Sequence, residues 1–374
     1  MPMDNRHGKI SPRQSGRYGR HELALYGTTC DDVQAIVRTL AAAMLPIRSV
    51  LIDADHSDKS ETDPFDRWQS DSAGGVAFTQ HGALDRLPTQ SALFGYDCIF
   101  VNGNHHAAQQ QIVICREEKS NSLRKRSAEL KDVIAIVLNA EGELTDTVRE
   151  LIPHSDSLPQ FHPTALNELA SWIHQNVLTP PPIHGLILTG GKSSRMGRDK
   201  ALLTYHQEPQ FLHLNGLLKS LNIRPFISCR PEQASFFEDH GLEVITDRIH
   251  DIGPSGGILS AMMQHPDHAW LVLACDVPGM DSETINELIQ QRSQESIATA
   301  FAGALQGFPE PLIAIWEPKS MLPMLQSIGL GYSCPRKVLI QFGAKTIRAK
   351  QPEKLDNINT PDEAADYLEE SGNN

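Results

Sequence analysis

The sequence predicts an α/β protein with two domains, each built on a mainly parallel sheet. Short apolar runs typical of buried strands alternate with helical patterns along the chain. These runs form two series, and a proline-rich stretch separates them. The length of 374 residues agrees with this division, because a domain typically takes about 100 to 200 residues.

The first series contains five predicted strands and a closing helix. The strands are the apolar runs at Glu22–Tyr26, 50–52, 98–101, 111–115 and 133–138. The helix covers 165–177, where Leu166, Leu169, Ala170, Ile173 and Val177 are spaced to share one face. Thr179 and the prolines 180–182 follow as a stiff extended spacer that no helix can continue through. We therefore expect a first domain over 21–178 and a linker over 179–183.

The second series contains six predicted strands, at 186–188, 225–228, 243–246, 270–274, 297–300 and 312–316. Helical segments fall between most of them, as in the Rossmann-like sheets that bind nucleotides. With helices on both faces of each sheet, the chain would form two three-layer Rossmann-like domains, the second over 184–374.

Composition and charge exclude several classes of protein. The chain is 40% hydrophobic and 21% charged, as expected of a globular protein, and its apolar runs fall short of the ~18 residues that a membrane-spanning helix needs. A net charge of −13 argues against general binding of nucleic acid. The six cysteines include no CxxC pair, so neither a disulfide framework nor a zinc site is indicated and a reducing cytoplasm is expected. Residues 1–20 are expected to form a disordered basic tail.

A glycine-rich basic loop follows the first strand of the second domain, over residues 189–200. Its glycines allow the backbone to approach a ligand closely, and its amides can point at phosphate oxygens. Its positive charges stand out in an acidic chain: Lys192, Arg195, Arg198 and Lys200. The spacing matches neither GxxxxGK[ST] nor GxGxxG, so a polyphosphate would be held differently from either. The loop alone is equally consistent with an ordinary surface turn.

Two carboxylates follow buried strands of the same domain. Asp276 comes after the strand at 270–274, where the tip of a parallel strand faces the ligand crevice and a carboxylate can hold Mg²⁺. We interpret it as the metal ligand, the alternative being a cap of the turn before Pro278. Asp247 stands in the same position after the strand at 243–246, just before the turn at 253–257.

Five segments of this domain form an ordered set: LTGGKSSRMGRDKALL at 188–203, GPSGG at 253–257, ACDVP at 274–278, EPL at 310–312 and NINTP at 357–361. In this order they resemble the motifs of the molybdenum cofactor guanylyltransferases, over about residues 184–369. The resemblance implies a nucleotidyltransferase fold with a mostly parallel sheet. The TGG sequence, where many related nucleotidyltransferases have AAG, favours guanylyl transfer.

The resemblance also implies roles for individual residues. The nucleotide would be bound by Leu188, Gly190, Gly191, Lys200, Asp247, Asp276, Asn357 and Asn359. Among these, Lys200 would contact the phosphates, Asp247 guanine or ribose, and Asp276 Mg²⁺, while the two asparagines would line the far side. Lys200, Asp276 and Arg195 are the predicted catalytic residues. Two positions depart from the family pattern: Cys229 replaces a common asparagine, and Ser255 replaces a usual leucine.

The implied reaction joins a nucleotide to molybdopterin. The terminal phosphate of molybdopterin would attack the α-phosphorus of Mg-GTP and expel pyrophosphate, with catalysis by positioning and charge neutralisation. Molybdopterin and GTP are thus the expected partners, together with molybdoenzyme apoproteins or their chaperones, and a homo-oligomer is left open. The alternatives are a cytidylyltransferase for the same pterin, a sugar or polyol phosphate nucleotidyltransferase, and a non-catalytic cofactor-delivery module.

The first domain resembles, more loosely, the GTP-binding adaptor protein of molybdenum cofactor biosynthesis. The segment 22–32 stands where a strand, P-loop and helix would be, but it lacks the P-loop lysine and carries Asp31 and Asp32. Asn102 ends a strand that tends to end in glutamate in that family. We therefore predict a degenerate GTPase-like domain that has lost hydrolysis. His56, His105 and His106 lack a recognisable metal-binding spacing, and we interpret them as polar loop residues.

Overall fold

A computed structural model describes residues 16–54, 67–70, 76–79, 91–189, 202–303 and 307–372. The chain forms two compact units that divide between Thr179 and Pro180. Among the described residues, no helix combines the length and the apolar character needed to cross a membrane.

The first unit contains a six-stranded parallel sheet with the order β2-β5-β1-β6-β7-β8, beside a β3-β4 hairpin. Its strands are β1 (Glu22–Tyr26), β2 (Ser49–Ile52), β3 (Arg67–Ser70), β4 (Val76–Thr79), β5 (Cys98–Asn102), β6 (Gln110–Ile114), β7 (Val133–Val137) and β8 (Gln160–Phe161). Its helices are α1 (Cys30–Ala43), α2 (Ser120–Lys125), α3 (Asp146–Leu151) and α4 (Leu166–Asn176).

Apolar side chains cover both faces of this sheet. On one face, Val33 and Leu40 of α1 and Leu169 of α4 are fully buried. On the other, Leu123 of α2 and Val148 of α3 are buried against the sheet. The strands are therefore apolar on both sides, as all-parallel sheets require.

The second unit contains a seven-stranded mixed sheet with the order β11-β10-β9-β12-β14-β13-β15. Its strands are β9 (Ile183–Leu188), β10 (Arg224–Cys229), β11 (Val244–Thr246), β12 (Ala269–Ala274), β13 (Ala298–Ala302), β14 (Pro309–Trp316) and β15 (Lys345–Ile347). Its helices are α5 (Gln210–Ser220), α6 (Ala234–Asp239), α7 (Pro254–Gln264), α8 (Ser282–Gln290), α9 (Met321–Gly329), α10 (Pro335–Gln341) and α11 (Pro361–Gly372). Only β14 runs antiparallel to its neighbours within this sheet as described.

Two apolar clusters lie on opposite faces of the second sheet. One gathers Phe211 and Leu214 of α5 with Leu288 of α8, and the other gathers Leu259 of α7 with Met324 of α9. The predicted α/β class with mainly parallel sheets is thus confirmed, and each predicted strand lies within a few residues of an observed one.

The structure adds elements that the sequence pattern did not indicate: the β3-β4 hairpin, the two-residue strand β8 and the edge strand β15. The structure also differs from the prediction of a disordered tail over residues 1–20, because residues 16–20 are not disordered. Tyr18 is buried in the first unit, and its backbone N–H donates to Glu22 Oε2 at 2.7 Å. Residues 1–15 of that tail lie outside the described residues.

Candidate functional site

The C-terminal edge of the second sheet brings several predicted site residues together around β9. Leu188, the last residue of β9, lies opposite Ser228 of β10 on one side and Ala274 of β12 on the other. The chain leaves β9 to form β10 and β11 on one side and returns to form β12 on the other side. Ligands of open α/β sheets bind at such a switch point. Asp276 therefore follows β12, the neighbour of β9 on one side, and Asp247 follows β11, which lies one strand beyond β10 on the other side.

Asp247 lies beside β10 and forms two hydrogen bonds with residues of that strand. Ser228 Oγ donates a hydrogen bond to Asp247 Oδ1 at 3.0 Å, and the backbone N–H of Asp247 donates to Cys229 O at 3.0 Å. Burial raises the pKa of the Asp247 carboxyl, and the bond from Ser228 only partly opposes this effect. The carboxylate retains acceptor capacity for hydroxyl or N–H donors of a ligand.

Gly257 of α7 allows these side chains to meet. A Cβ placed on Gly257 would lie 2.3 Å from Ser228 Oγ, 3.0 Å from Leu188 Cδ2 and 3.3 Å from Asp247 Oδ1. Since real Cβ atoms do not approach other atoms to 2.3 Å, only glycine fits here without a shift. The last glycine of the GPSGG turn thus explains why α7 can approach the end of β9 so closely.

Asp276 lies two residues beyond β12, half-buried, with Oδ1 enclosed by protein. Ile358 N donates to the Asp276 carbonyl at 2.7 Å, so the predicted site residues Asn357 and Asn359 flank this contact. Both asparagines are exposed, whereas Ile358 is buried between them. The late NINTP segment is therefore held at the tip of β12 by its backbone.

The segment that follows the basic loop is also fixed to this tip. One ring nitrogen of His206 lies 2.8 Å from the Pro278 carbonyl oxygen, and Gln210 Nε2 donates to Val277 O at 3.2 Å. Tyr205 is buried, with its ring edge-on to Tyr367 of α11. Burial, followed by the charge of Asp276, raises the pKa of the Tyr205 phenol to about 12.

Sequence reasoning missed Tyr205, Ser228 and Gly257 as site residues. The positions of Ser228 and Gly257 were detectable in the sequence, because Ser228 lies next to the end of β10 and Gly257 belongs to the GPSGG turn. That of Tyr205 was not, since its nearness to Asp276 depends on tertiary structure. Gly190, Gly191, Arg195 and Lys200 lie outside the described residues.

The two departures from the family pattern have structural roles. Cys229 is fully buried, and burial raises the pKa of its thiol to about 12, so it offers neither a thiolate nor a surface to a ligand. Ser255 is buried at the start of α7, where its hydroxyl donates to Ser333 O at 2.7 Å. That bond ties α7 to the segment before α10.

The first unit has a different arrangement at the end of β1. Thr29 caps α1 by accepting from Asp32 N at 3.1 Å, and the Thr28 and Thr29 hydroxyls donate to Asp32 Oδ2 at 3.0 and 2.7 Å. Arg116 lies 3.2 Å from the same carboxylate oxygen. The bond from Thr29 lowers the pKa of Asp32 more than burial raises it. A carboxylate of this chain thus takes the anion position at the helix N-terminus.

Comparison with known proteins assigns the second unit. The model of the MobA-like NTP transferase domain matches residues 185–346. The molybdenum cofactor guanylyltransferase of Pseudomonas putida is 32% identical over 192 residues, which cover 50% of this chain and 97% of that protein. The chain belongs to the MobA-like NTP transferase family. Its second unit, which we call the MobA-like unit, is therefore a nucleotidyltransferase.

Two further comparisons each match about half of this chain. A molybdenum cofactor biosynthesis bifunctional protein of Synechocystis is 36% identical over 182 residues, and the match covers 49% of this chain but only 52% of that protein. A solved structure, molybdopterin-guanine dinucleotide biosynthesis protein A of Archaeoglobus fulgidus, overlaps 51% of this chain and 100% of its own at 20% identity and a TM-score of 0.43. The matches to the relatives named here cover about half of this chain.

Proposed function

We propose that the MobA-like unit transfers GMP from Mg-GTP to the phosphate of molybdopterin, with or without bound molybdenum, and releases pyrophosphate. The observation that carries this proposal is the position of Asp247 and Asp276 on either side of β9. The loop that follows β9 is the glycine-rich basic sequence at 189–200. A triphosphate held by that loop would have one carboxylate on its nucleoside side and the other near its phosphates.

Asp247 would bind the nucleoside. The guanine N1–H and N2–H₂ groups and the ribose hydroxyls are hydrogen-bond donors, and a carboxylate accepts from them. Ser228 holds one carboxylate oxygen, which orients the group before the ligand arrives. Leu188 lies against Gly257 of α7 and would contact the base or the sugar by apolar packing.

The donors around Asp276 fit a magnesium ion. Mg²⁺ prefers oxygen ligands and is usually held by one or two carboxylates together with phosphate oxygens. Asp276 would supply the carboxylate, and Asn357 and Asn359, the neighbours of the Ile358 N–H that donates to the Asp276 carbonyl, would offer amide oxygens. When bound there, the ion would neutralise charge on the phosphates.

The remaining roles fall to cations and to Tyr205. Lys200 and Arg195 would stabilise the negative charge that develops as the pterin phosphate oxygen bonds to the α-phosphorus and pyrophosphate leaves. The attacking phosphate is already ionised near neutral pH, so the reaction needs no protein nucleophile. The buried Tyr205 hydroxyl has no hydrogen-bond partner among the described residues, and it would donate to a phosphate oxygen beside Asp276.

Pyrophosphate release tests the proposal. The full chain is incubated with Mg²⁺ and GTP, CTP, ATP or UTP, each with and without molybdopterin. We expect release with GTP only, and only when molybdopterin is present. Faster release with CTP would assign the alternative pterin cytidylyltransferase. Release that needs a sugar phosphate in place of the pterin, or no release with any nucleotide, would refute the proposal.

A substitution of Tyr205 tests its role separately. Tyr205→Phe keeps the ring that packs on Tyr367 and removes only the hydroxyl. We expect kcat/KM for GTP to fall about tenfold, the worth of one hydrogen bond to a charged group. The thermal midpoint should not fall, because the lost hydroxyl is buried without a described partner. Tyr332→Phe, an exposed tyrosine of the same unit, is the control. An unchanged kcat/KM would remove Tyr205 from the site.

For the first unit we propose a GTPase-like fold that has lost hydrolysis and serves in assembly or in transfer of the product to an acceptor enzyme. The capped α1 supports this, because the Asp32 carboxylate lies in the first turn of the helix and would repel a phosphate there. The test compares GTP hydrolysis by the full chain without molybdopterin with hydrolysis by its Asp276→Ala variant. Hydrolysis of GTP to GDP that persists in the variant would refute the loss of activity.

A further inference from the structure

Three side chains of different chemistry meet at the C-terminal edge of the first sheet. Their ligand atoms, Cys30 Sγ, an Asp53 carboxylate oxygen and a His105 ring nitrogen, all lie within 4.8 Å of one another. Each side chain follows a different strand: β1, β2 or β5. These strands are neighbours in the sheet order β2-β5-β1, and they run parallel, so their carboxyl ends share one edge.

The local structure holds each of the three in place. Cys30 is the first residue of α1, and its sulfur lies 3.2 Å from His105 Nε2. His105 belongs to the turn after β5, where its backbone N–H donates to Asn102 O at 3.0 Å. All three residues are half-buried, so the cluster is neither sealed in the core nor fully exposed.

Asp53 is oriented by two amide side chains. Asn102 Nδ2 donates to Oδ1 at 2.7 Å, and Gln34 Nε2 donates to Oδ2 at 3.0 Å. Burial alone would raise the pKa of Asp53, but these two bonds, the bond from Ala54 N–H and the charge of His105 together leave it below its usual range. Hydrogen bonds of this kind are what orients carboxylates that bind metals. Asn102 is fully buried, so the support behind Asp53 is rigid.

We propose that Cys30, Asp53 and His105 bind one divalent transition-metal ion, for which Zn²⁺ is the best match. Sulfur, imidazole nitrogen and carboxylate oxygen are the three ligand types of zinc. Sulfur and nitrogen ligands on a tetrahedral zinc are separated by about 3.5 Å, from Zn–S and Zn–N lengths of about 2.3 and 2.0 Å. The observed separation of 3.2 Å between Cys30 Sγ and His105 Nε2 is close to this value.

The ligand set also separates this site from the magnesium site proposed in the MobA-like unit. Mg²⁺ takes oxygen ligands and disfavours sulfur. Three protein ligands leave one position of a tetrahedral zinc for water or an anionic ligand, as in catalytic rather than structural zinc sites. The proposal concerns the first unit alone and does not depend on guanylyl transfer.

Cobalt absorption and zinc content of the full chain test the proposal. The chain is freed of metal with a chelator and titrated with Co²⁺, which reports a sulfur ligand by a thiolate-to-metal charge-transfer band. It is then dialysed against Zn²⁺ and its metal content measured. We expect the band, with one ion per chain bound at this site.

Three conservative variants assign the ligands. Cys30→Ser should abolish the band, while Asp53→Asn and His105→Gln should each weaken zinc binding at least about tenfold. The controls are Cys334→Ser and His154→Gln, an exposed cysteine and an exposed histidine outside the cluster, and neither should change the band. Far-ultraviolet circular dichroism and urea midpoints confirm that each variant is folded.

Every result bears on the proposal. A wild-type chain without the charge-transfer band overturns it, and so does a band that survives in Cys30→Ser. Zinc content that is equal in wild type and all three variants shows adventitious binding by other histidines and overturns it too. Unchanged affinity in Asp53→Asn or His105→Gln overturns the three-ligand assignment.

Discussion

The two units carry different groups at the same edge of their sheets, which is the edge formed by the carboxyl ends of the parallel strands. In the MobA-like unit the edge carries Asp247 and Asp276 beside the strand that leads into a basic loop. In the first unit the equivalent strand-loop-helix carries its own carboxylate, Asp32, bonded to the cap of α1. The edge of a parallel sheet is a general binding position. Which ligand it takes depends on the charges that the loops place there.

The comparison also explains why the first unit gathers a soft ligand set. The Asp32 carboxylate lies in the first turn of α1 and would repel a phosphate at that helix N-terminus, whereas the strand ends beside it still converge. The ligand atoms of Cys30, Asp53 and His105 lie close together where these strand ends converge. Imidazole nitrogen and thiolate sulfur are ligands of transition metals, so this edge would take a metal cation where the edge of the MobA-like unit would take a triphosphate.

The largest expected effect is on Asp276. Asp276→Ala should lower kcat for pyrophosphate release by about 10²- to 10³-fold, as removal of one charge-stabilising group commonly does. The Asp276 backbone carbonyl still accepts from Ile358 N, so the fold should persist. Activity is measured with GTP, Mg²⁺ and molybdopterin.

The matched control is Asp239→Ala, an exposed aspartate at the end of α6. It should leave both activity and the thermal midpoint unchanged. Wild-type turnover by Asp276→Ala would remove the metal assignment, and the two units would then no longer differ in the way described.

Much of the fold could be predicted from the sequence, because most strands are marked by a contiguous apolar run. The strand β12 is a run of six buried apolar residues, and such a run is visible without tertiary information. The strands β3, β4 and β8 were missed because runs of four or two residues are too short to show an apolar periodicity.

The two candidate sites also differ in how far the sequence alone predicts them. The position of Asp276 just beyond a buried strand could be predicted, because the apolar run of β12 ends two residues before it. The group of Cys30, Asp53 and His105 could not, since the three residues lie far apart in sequence and only the sheet order brings their strands together. The dispersed cysteines led to the expectation of no zinc site, and a spacing rule cannot detect ligands from three strand ends.

A smaller effect is expected at Asp247. Asp247→Asn keeps the size of the side chain but replaces one acceptor oxygen with an amide donor. We expect KM for GTP to rise about tenfold with little change in kcat, since a hydrogen bond to a charged group is worth roughly 1.5–3 kcal/mol. The measurement is initial-rate kinetics over a range of GTP concentrations.

The preference among nucleotides sharpens this prediction. If Asp247 binds the guanine edge, the variant should lose discrimination between GTP and CTP. If it binds the ribose, both nucleotides should weaken equally. Unchanged KM for both would exclude Asp247 from the nucleoside site.

The pH dependence of stability should depend on His184 of β9. This buried ring stacks on Phe226, and burial, then the nearby His268 and His265, lowers its pKa to about 3. The unfolded chain binds a proton below pH 6.5 that the folded chain does not bind, so the free energy of unfolding falls as pH decreases. The maximum slope from one such group is about 1.4 kcal/mol per pH unit.

His184→Leu should flatten this slope by about 1 kcal/mol per pH unit. The window runs from pH 6.5 down towards the folded pKa of about 3. Urea midpoints at several pH values measure it, with His174→Leu, an exposed histidine of α4, as control. Parallel curves for wild type and His184→Leu would show that the ring accepts a proton in the folded protein.

The smallest expected effect is in the first unit. Thr29→Ala removes the side chain that accepts from Asp32 N and donates to Asp32 Oδ2. Loss of a helix N-cap costs about 1 kcal/mol, so the urea midpoint should fall modestly. The control Thr39→Ala, an exposed threonine inside α1, should change stability by no more than about 0.5 kcal/mol.

Guanylyl transfer should be the same in the wild type, Thr29→Ala and Thr39→Ala, because nothing in its site changes. A loss of kcat in Thr29→Ala alone would mean that the loop of the first unit takes part in the reaction, and the division of chemistry between the two sheet edges would have to be given up.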